Sequence, residues 1–174
     1  MSAHHIQLHQ GDITDAKVDA IVNAANPQML GGGGVDGAIH HAAGPELLKA
    51  CYEVEAIDGV RCPIGEARIT RAGNLKARHV IHTVGPRYAL DPDPSGLLTS
   101  AYRNTFRLAA KHNCKTLAVP AISCGVYGYP LDEAATIAIG VSCSPEFEGL
   151  SIAFYLFGPE IFDIFTHALT VQDV

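Results

Sequence analysis

A run of four glycines, Gly31 to Gly34, precedes an acidic residue, Asp36, and a short helical pattern over residues 38–43. Adjacent glycines lose much conformational entropy on folding, so such a run indicates a sharp turn or a close approach of the backbone to a ligand. Backbone N–H groups at a helix N-terminus bind phosphate without any net positive charge. The segment therefore predicts a site for a phosphorylated ligand beside a carboxylate.

A second glycine-containing segment, residues 123–130, reads Ser-Cys-Gly-Val-Tyr-Gly-Tyr-Pro and directly follows an apolar run. It too can point N–H groups at an anion, and Tyr127 offers an aromatic surface to a sugar. Ligands of open parallel sheets bind outside the carboxyl ends of the strands. If both segments leave parallel strands at that edge, they face each other across a cleft suited to a pyrophosphate.

Asp12 follows the first predicted strand in the sequence Gln-Gly-Asp-Ile-Thr, residues 10–14. An ionised Asp only accepts hydrogen bonds, which suits the exocyclic amine of adenine. The same residue could instead cap a short helix that begins near Thr14. This segment favours neither interpretation over the other.

Several other enzyme classes do not fit these motifs. Residues 32–37 satisfy G-x-G-x-x-G, but no acidic residue ends a second strand as a dinucleotide-binding fold requires. No Lys follows Gly37 to hold the phosphates of a nucleoside triphosphate. Cys124 has no identifiable His or acid partner, so we interpret it as an ordinary thiol. The histidines lack the spacing of metal ligands, and we expect packing or surface roles for His40, His41, His79 and His82 and no bound metal.

Length and composition predict one globular domain spanning residues 1–174, since 48% of the residues are hydrophobic and can form a sizeable core. A net charge of -6 disfavours long nucleic acid as a partner. Five cysteines without a C-x-x-C pair suggest reduced thiols and a cytoplasmic location. Neither a signal peptide nor a membrane span is apparent, and we interpret His4 and His5 as part of a mobile terminus.

Apolar runs without alternation, at residues 20–22, 80–84, 117–122 and 152–157, predict strands covered on both faces. Residues 6–9 alternate and predict an edge strand, and residues 67–70 predict another short strand. Helical patterns lie between the strands, including two that open at Gly44-Pro45 and Gly158-Pro159. The fold class is therefore α/β, a mixed, mostly parallel sheet between helical layers. Gly140 and the residues after it are expected to end the helix following Pro130 early.

Together these segments resemble the macrodomain family, in particular its MacroD-type hydrolases. The similar motifs occur in the family's order and span most of the chain from about Ile6 to Phe157; they are residues 11–14, 22–27, 31–40, 42–45, 62–67, 82–86 and 120–130. The resemblance implies a three-layer α/β/α sandwich that binds ADP-ribose in a cleft. Partners would be ADP-ribose, ADP-ribosylated proteins and O-acetyl-ADP-ribose, and no cofactor is expected.

By this resemblance, Asn26 and Asp36 would be the catalytic pair of an enzyme that removes ADP-ribose from Asp or Glu side chains and deacetylates O-acetyl-ADP-ribose. Asp12 would bind adenine. Phe157 would stack on it, although the residue alone would be interpreted as the buried end of a strand. The full set of implied ligand-binding residues is Asp12, Ile13, Asn23, Gly32, Gly33, Gly34, Val35, Ser123, Gly125, Val126, Tyr127 and Phe157. The alternative is a reader module that binds ADP-ribose without cleaving it.

Overall fold

The apolar runs form the strands of a single sheet, and the amphipathic segments between them form helices. The computed structural model describes residues 3–172, so Met1 and Ser2 of the predicted mobile terminus lie outside it. The strands are β1 (Ile6–Gln10), β2 (Val18–Ala24), β3 (Ala67–Arg71), β4 (Ala77–Thr83), β5 (Thr116–Val119) and β6 (Ser151–Leu156). The helices are α1 (Gly34–Ala43), α2 (Pro45–Glu53), α3 (Pro94–Lys111), α4 (Leu131–Ser142) and α5 (Pro159–Gln172), with short 3₁₀ helices at Ile13–Asp15 and Pro145–Phe147.

The sheet has six strands in the order β1-β6-β5-β2-β4-β3. Neighbouring strands run parallel except at one edge, where β3 pairs antiparallel with β4. The predicted mixed, mostly parallel sheet is therefore confirmed, and so is the edge position of β1. The parallel register places Asn23 of β2 beside His82 of β4. All five parallel strands consequently end at the same edge of the sheet.

Helices cover both faces of the sheet, which confirms the three-layer α/β/α architecture. Residues of one strand alternate between the two faces. Ile21 and Val80 pack with α1 and α2 on one side, whereas Val22 and Ile81 pack with α3, α4 and α5 on the other. Within the described residues, no helix is both long enough and apolar enough to cross a bilayer.

The ends of β5 and α4 show how the observed boundaries relate to the sequence-based expectation. Strand β5 ends at Val119 instead of residue 122, because Pro120 has no N–H with which to continue the ladder. Helix α4 ends at Ser142, within the segment that was expected to end it, although Gly140 itself is still helical. Tertiary contacts outweigh the weak helix propensity of glycine there, since Val141 and Ser142 are both buried.

The N-terminal residues also help to hold the end of α4. The ring Nε2 of His5 lies 2.7 Å from the carbonyl oxygen of Ser142. The expectation that His5 belongs to a mobile terminus is therefore wrong. This contact gives one of the last carbonyl groups of the helix a partner. Phe147 of the following 3₁₀ helix is buried in the core between the sheet and α3, α4 and α5. This face of the sheet is therefore covered beyond the end of α4.

Candidate functional site

A cleft of about 770 Å³ lies at the carboxyl ends of the parallel strands. It is bordered by two loops, which we call the first glycine loop (residues 31–37) and the second glycine loop (residues 123–130). Thirteen of the fourteen residues predicted for the site line this cleft: Asp12, Ile13, Asn26, Gly32, Gly33, Gly34, Val35, Asp36, Ser123, Gly125, Val126, Tyr127 and Phe157. The structure thus brings together segments that are separated by more than one hundred residues in sequence.

Asn23 is the predicted ligand-binding residue that does not line the cleft. Its side chain is completely buried on β2, one layer below the surface. There its amide nitrogen donates a hydrogen bond of 2.9 Å to Asp36 Oδ1. The structure therefore places Asn23 where it supports Asp36 rather than where it could contact a ligand.

The first glycine loop presents unpartnered backbone donors to the cleft. Gly33 occupies the N-cap position of α1 but has no side chain to accept hydrogen bonds from the first N–H groups of the helix. Gly34 has a φ of 58°, a conformation that favours glycine. The N–H groups of Gly33, Gly34 and Val35 donate no hydrogen bond within residues 3–172. Such free amides, together with the helix dipole, form a site for an anion. A phosphate group is the ligand type that this loop can bind.

The second glycine loop faces the first across the cleft and is anchored at its start. Ser123 adopts a φ of 67°, and its hydroxyl donates a hydrogen bond of 2.8 Å to the carbonyl oxygen of Pro86. Gly85 allows this approach, because a Cβ at that position would overlap the Ser123 hydroxyl. Further along, the N–H groups of Gly125 and Val126 have no partner within the described chain. The cleft therefore has backbone donors on both sides.

Asp36 is the acidic group between these donors, and it is only 4% exposed. Burial raises the pKa of its carboxyl group, while the hydrogen bond from Asn23 and the charge of His40 lower it. His40 Nε2 lies 3.5 Å from Asp36 Oδ1. A carboxylate with a raised pKa and an acceptor-only chemistry is suited to orient or deprotonate water.

Asn26 and the other oxygen of Asp36 both lie next to Gly32. A Cβ added at Gly32 would stand 3.1 Å from Asp36 Oδ2 and 3.4 Å from Asn26 Nδ2, so both atoms flank the same glycine. The Asn26 Nδ2 donates to the carbonyl oxygen of Gly31 at 3.1 Å, and its Oδ1 accepts from Met29 N–H at 3.1 Å. One amide hydrogen remains for a ligand. The predicted catalytic pair is therefore adjacent in space.

Asp12, just after β1, both caps a 3₁₀ helix and lines the cleft. Its Oδ1 caps the 3₁₀ helix by accepting hydrogen bonds from Thr14 N–H at 2.9 Å and from the Thr14 hydroxyl at 2.7 Å. These bonds lower the pKa of Asp12 and keep it ionised. Asp12 also lines the cleft, so a capped and charged carboxylate is available to an amine donor of a base.

Phe157 is not the buried end of a strand. Strand β6 ends at Leu156, and the Phe157 side chain is 86% exposed at the cleft. Sequence reasoning missed Tyr155, which also lines the cleft and stacks on His9 with ring centroids 5.1 Å apart. Strand alternation was the available signal, since Tyr155 must face opposite to the buried Phe154. Two aromatic rings therefore border the end of the cleft near Asp12.

The other potentially reactive group in the cleft is Cys124. Burial raises the pKa of its thiol to about 12, so the reactive thiolate is scarce at neutral pH. The interpretation of Cys124 as an ordinary thiol agrees with this environment. In the part of the chain that the structure covers, no three His, Cys, Asp or Glu side chains are grouped to hold a metal ion.

The chain belongs to the Macro domain family, whose sequence profile matches residues 22–138. Among its relatives is an O-acetyl-ADP-ribose deacetylase of Enterobacter cloacae subsp. cloacae. It is 50% identical over 171 residues, which cover 95% of this chain and 93% of the relative.

Solved macrodomain structures share the same fold. The Oceanobacillus iheyensis macrodomain with ADP is 44% identical and superposes with a TM-score of 0.89, covering 95% of this chain and 90% of that one. The Trypanosoma brucei macrodomain in complex with ADP-ribose is 39% identical with a TM-score of 0.83, covering 95% of this chain and 69% of that one. The expected macrodomain fold is confirmed.

Proposed function

We propose that this chain binds ADP-ribose in the cleft and hydrolyses ADP-ribosyl esters, both those on Asp or Glu side chains of proteins and that of O-acetyl-ADP-ribose. The observation that carries the proposal is the buried carboxylate of Asp36, which lies beside Asn26 between two loops of unpartnered N–H groups. The names of the Enterobacter relative and of the Trypanosoma complex support the substrate class.

The ligand is oriented by the chemistry at the two ends of the cleft. The adenine base lies near Asp12, which accepts from its exocyclic amine, and Phe157 covers a face of the ring. The diphosphate lies between Gly33 and Gly34 on one side and Gly125 and Val126 on the other. The distal ribose then reaches Asp36 and Asn26. Binding energy from the nucleotide thus holds the ester at the reacting groups.

Hydrolysis needs a water molecule and a group that accepts its proton. Ionised Asp36 accepts a proton from water or from the distal ribose, while the free amide hydrogen of Asn26 bonds to a sugar oxygen. The water oxygen bonds to one of the two carbons of the ester linkage, the acyl carbon or the sugar carbon. The bond between that carbon and the bridging ester oxygen breaks. The products are a carboxylic acid and ADP-ribose with a free hydroxyl group.

The test compares wild-type protein with Asp36→Asn and Asn26→Ala variants on two substrates, O-acetyl-ADP-ribose and a protein automodified on carboxylates. We expect Asp36→Asn to lower turnover of both esters by about 100-fold or more, because general-base catalysis contributes on the order of 10² to 10⁴. ADP-ribose affinity, measured by calorimetry, stays within a few-fold. Asp163→Asn, which changes an exposed carboxylate of α5, is the matched control and leaves turnover unchanged.

Unchanged turnover in Asp36→Asn and Asn26→Ala defeats the catalytic assignment. A wild-type protein that binds ADP-ribose but releases nothing from either substrate is a reader module. Carrying out the reaction in water enriched in heavy oxygen also identifies the bond that breaks. Label in the released acid marks attack at the acyl carbon, and unlabelled acid marks attack at the sugar carbon of the ester.

A further inference from the structure

His82 is a completely buried histidine below the cleft that takes no part in the proposed reaction. Its ring bridges two strands. Nδ1 lies 3.2 Å from the Asn23 Nδ2 on β2, and Nε2 lies 2.9 Å from the hydroxyl oxygen of Thr70 on β3. Because Asn23 also bonds to Asp36, a continuous chain of contacts runs from Thr70 through His82 and Asn23 to the proposed catalytic carboxylate.

The hydrogen bonds of this chain have one consistent direction. An amide nitrogen only donates, so Asn23 Nδ2 gives one hydrogen to Asp36 Oδ1 and the other to His82 Nδ1. Nδ1 must therefore be the unprotonated nitrogen of the ring, and the proton on Nε2 is donated to Thr70. A reversed Asn23 amide would place its carbonyl oxygen against the carboxylate of Asp36, where two acceptors repel.

This orientation of Asn23 is held at a cost. Its Oδ1 is buried and has no hydrogen-bond partner within residues 3–172. A buried carbonyl without a partner destabilises the folded protein, because its desolvation is not compensated. Both amide hydrogens nevertheless serve Asp36 and His82. The orientation of Asn23 therefore provides hydrogen bonds to the Asp36 carboxylate and the His82 ring, while the Asn23 carbonyl oxygen has none.

We propose that His82 is a positioning residue that acts through Asn23 to fix the orientation of the Asp36 carboxylate. By accepting the second amide hydrogen, His82 holds Nδ2 toward Asp36 Oδ1 and leaves Oδ2 on the side of Gly32 and Asn26. This role rests on the proposed function, since it requires Asp36 to act in hydrolysis.

The ring must be neutral for this role, because a charged imidazolium donates from both nitrogens and would expel the amide hydrogen of Asn23. Burial lowers the pKa of His82 to about 3, which keeps the ring neutral. The titratable groups that face Asp36 are His40 on α1, Cys51 on α2 and Tyr127 in the second glycine loop. Cys51 Sγ also lies 3.8 Å from His82 Nε2. Among residues 3–172, only Asn23 hydrogen-bonds to both Asp36 and His82.

Two substitutions separate the two sides of the ring. His82→Gln carries an amide that can still reach Thr70 but lacks the acceptor beside Asn23. His82→Asn carries an oxygen near the former Nδ1 and loses the contact with Thr70. We expect His82→Gln to lower kcat on O-acetyl-ADP-ribose by about 10- to 100-fold, the scale of effect for a misplaced reacting group. ADP-ribose affinity stays within a few-fold, and His82→Asn recovers a clear part of kcat.

The pH dependence of kcat gives a second readout. Without a firmly held donor from Asn23, the pKa of Asp36 rises, so the acidic limb of the profile moves to higher pH in His82→Gln. Val80→Ala is the matched structural control, because Val80 is equally buried on the same strand and face as His82. It lowers stability through a cavity but leaves the acidic limb in place.

Nitrogen NMR of the wild-type protein tests the tautomer without any variant. The proposal predicts a proton on Nε2 and none on Nδ1 between about pH 5 and 8. A proton on Nδ1 overturns the proposal, and this result does not depend on how well the His82 variants fold. Equal kcat values and equal pH profiles for His82→Gln and Val80→Ala also overturn it. If wild-type protein is active and His82→Gln has the same kcat and pH profile, the positioning role of His82 is refuted but the proposed function is not. Inactive wild-type protein refutes the proposed function, and this role of His82 with it.

Discussion

The two glycine loops border the same cleft but are held in different ways. The first is fixed from below, because Asp36 is tied to buried Asn23 and the backbone of Gly37 packs against the carbonyl of Gly32. The second is anchored at Ser123, but its tip is open: Val126 is 102% exposed, and nothing lies within 4 Å of a Cβ placed at Gly125. The side chain that requires precise placement therefore belongs to the rigidly supported loop, and the open tip contributes backbone donors.

The largest difference between the loops is expected from a pair of alanine substitutions. A Cβ at Gly37 would stand 2.6 Å from the carbonyl oxygen of Gly32, so Gly37→Ala forces the first loop to move. We expect the Kd for ADP-ribose, measured by calorimetry, to rise about tenfold or more, in line with about 1–3 kcal/mol for overpacking. Gly125→Ala meets open space and changes Kd only about two- to threefold. Equal losses in both variants would contradict the contrast drawn between the loops.

A smaller effect on the Kd for ADP-ribose is expected from a substitution at the end of the cleft proposed to bind adenine. Removal of the exposed ring in Phe157→Ala raises the Kd for ADP-ribose by about tenfold, because stacking on a base contributes about 1–3 kcal/mol. Ribose 5-phosphate, which has no base, binds both proteins equally. Leu90→Ala removes another exposed apolar side chain, one that does not line the cleft, and serves as the control. If Phe157→Ala weakens the base-free ligand as much as ADP-ribose, the ring does not contact adenine.

The smallest effect concerns stability and tests how firmly Asp36 is held in a buried position. Because its pKa is raised, the folded protein binds this proton more tightly than the unfolded chain, and ionisation at neutral pH opposes folding. Asp36→Asn should therefore raise the free energy of unfolding at neutral pH. The advantage shrinks as pH falls through the pKa of the folded state and is absent below about pH 4, where the carboxyl is neutral in both states. Urea unfolding at several pH values measures this, and a variant less stable than wild type at pH 7 would argue against a costly buried charge.

Much of the fold could be predicted because the strands are short apolar runs flanked by turn residues. The two helices that open at Gly-Pro pairs begin at Pro45 and Pro159, as expected. The sequence predicted the region in which α4 ends but not its last residue, which tertiary contacts decide. Gly140 lies within α4, because the residues after it are buried and the helix end is bonded to His5. Local propensity contains no information about such contacts.

The candidate site could be predicted where its residues are contiguous in the two loops, and less well where strand register matters. Asn23 and His82 are 59 positions apart, and their contact depends on the pairing of β2 with β4. The sequence alone therefore predicts only a packing or surface role for His82. Taken alone, Phe157 is predicted to lie in the core, because an aromatic residue at the end of an apolar run does not reveal that the strand stops one residue earlier.

Amide NMR during a titration with free ADP-ribose tests most directly whether the two loops hold a diphosphate beside Asp36. The structure predicts that the N–H signals of Gly33 and Gly34 and those of Gly125 and Val126 shift together, with the same Kd. Amides at the distant end of α4, such as Val141, should stay in place. A titration that moves the signals of only one loop, or of neither, would contradict the account.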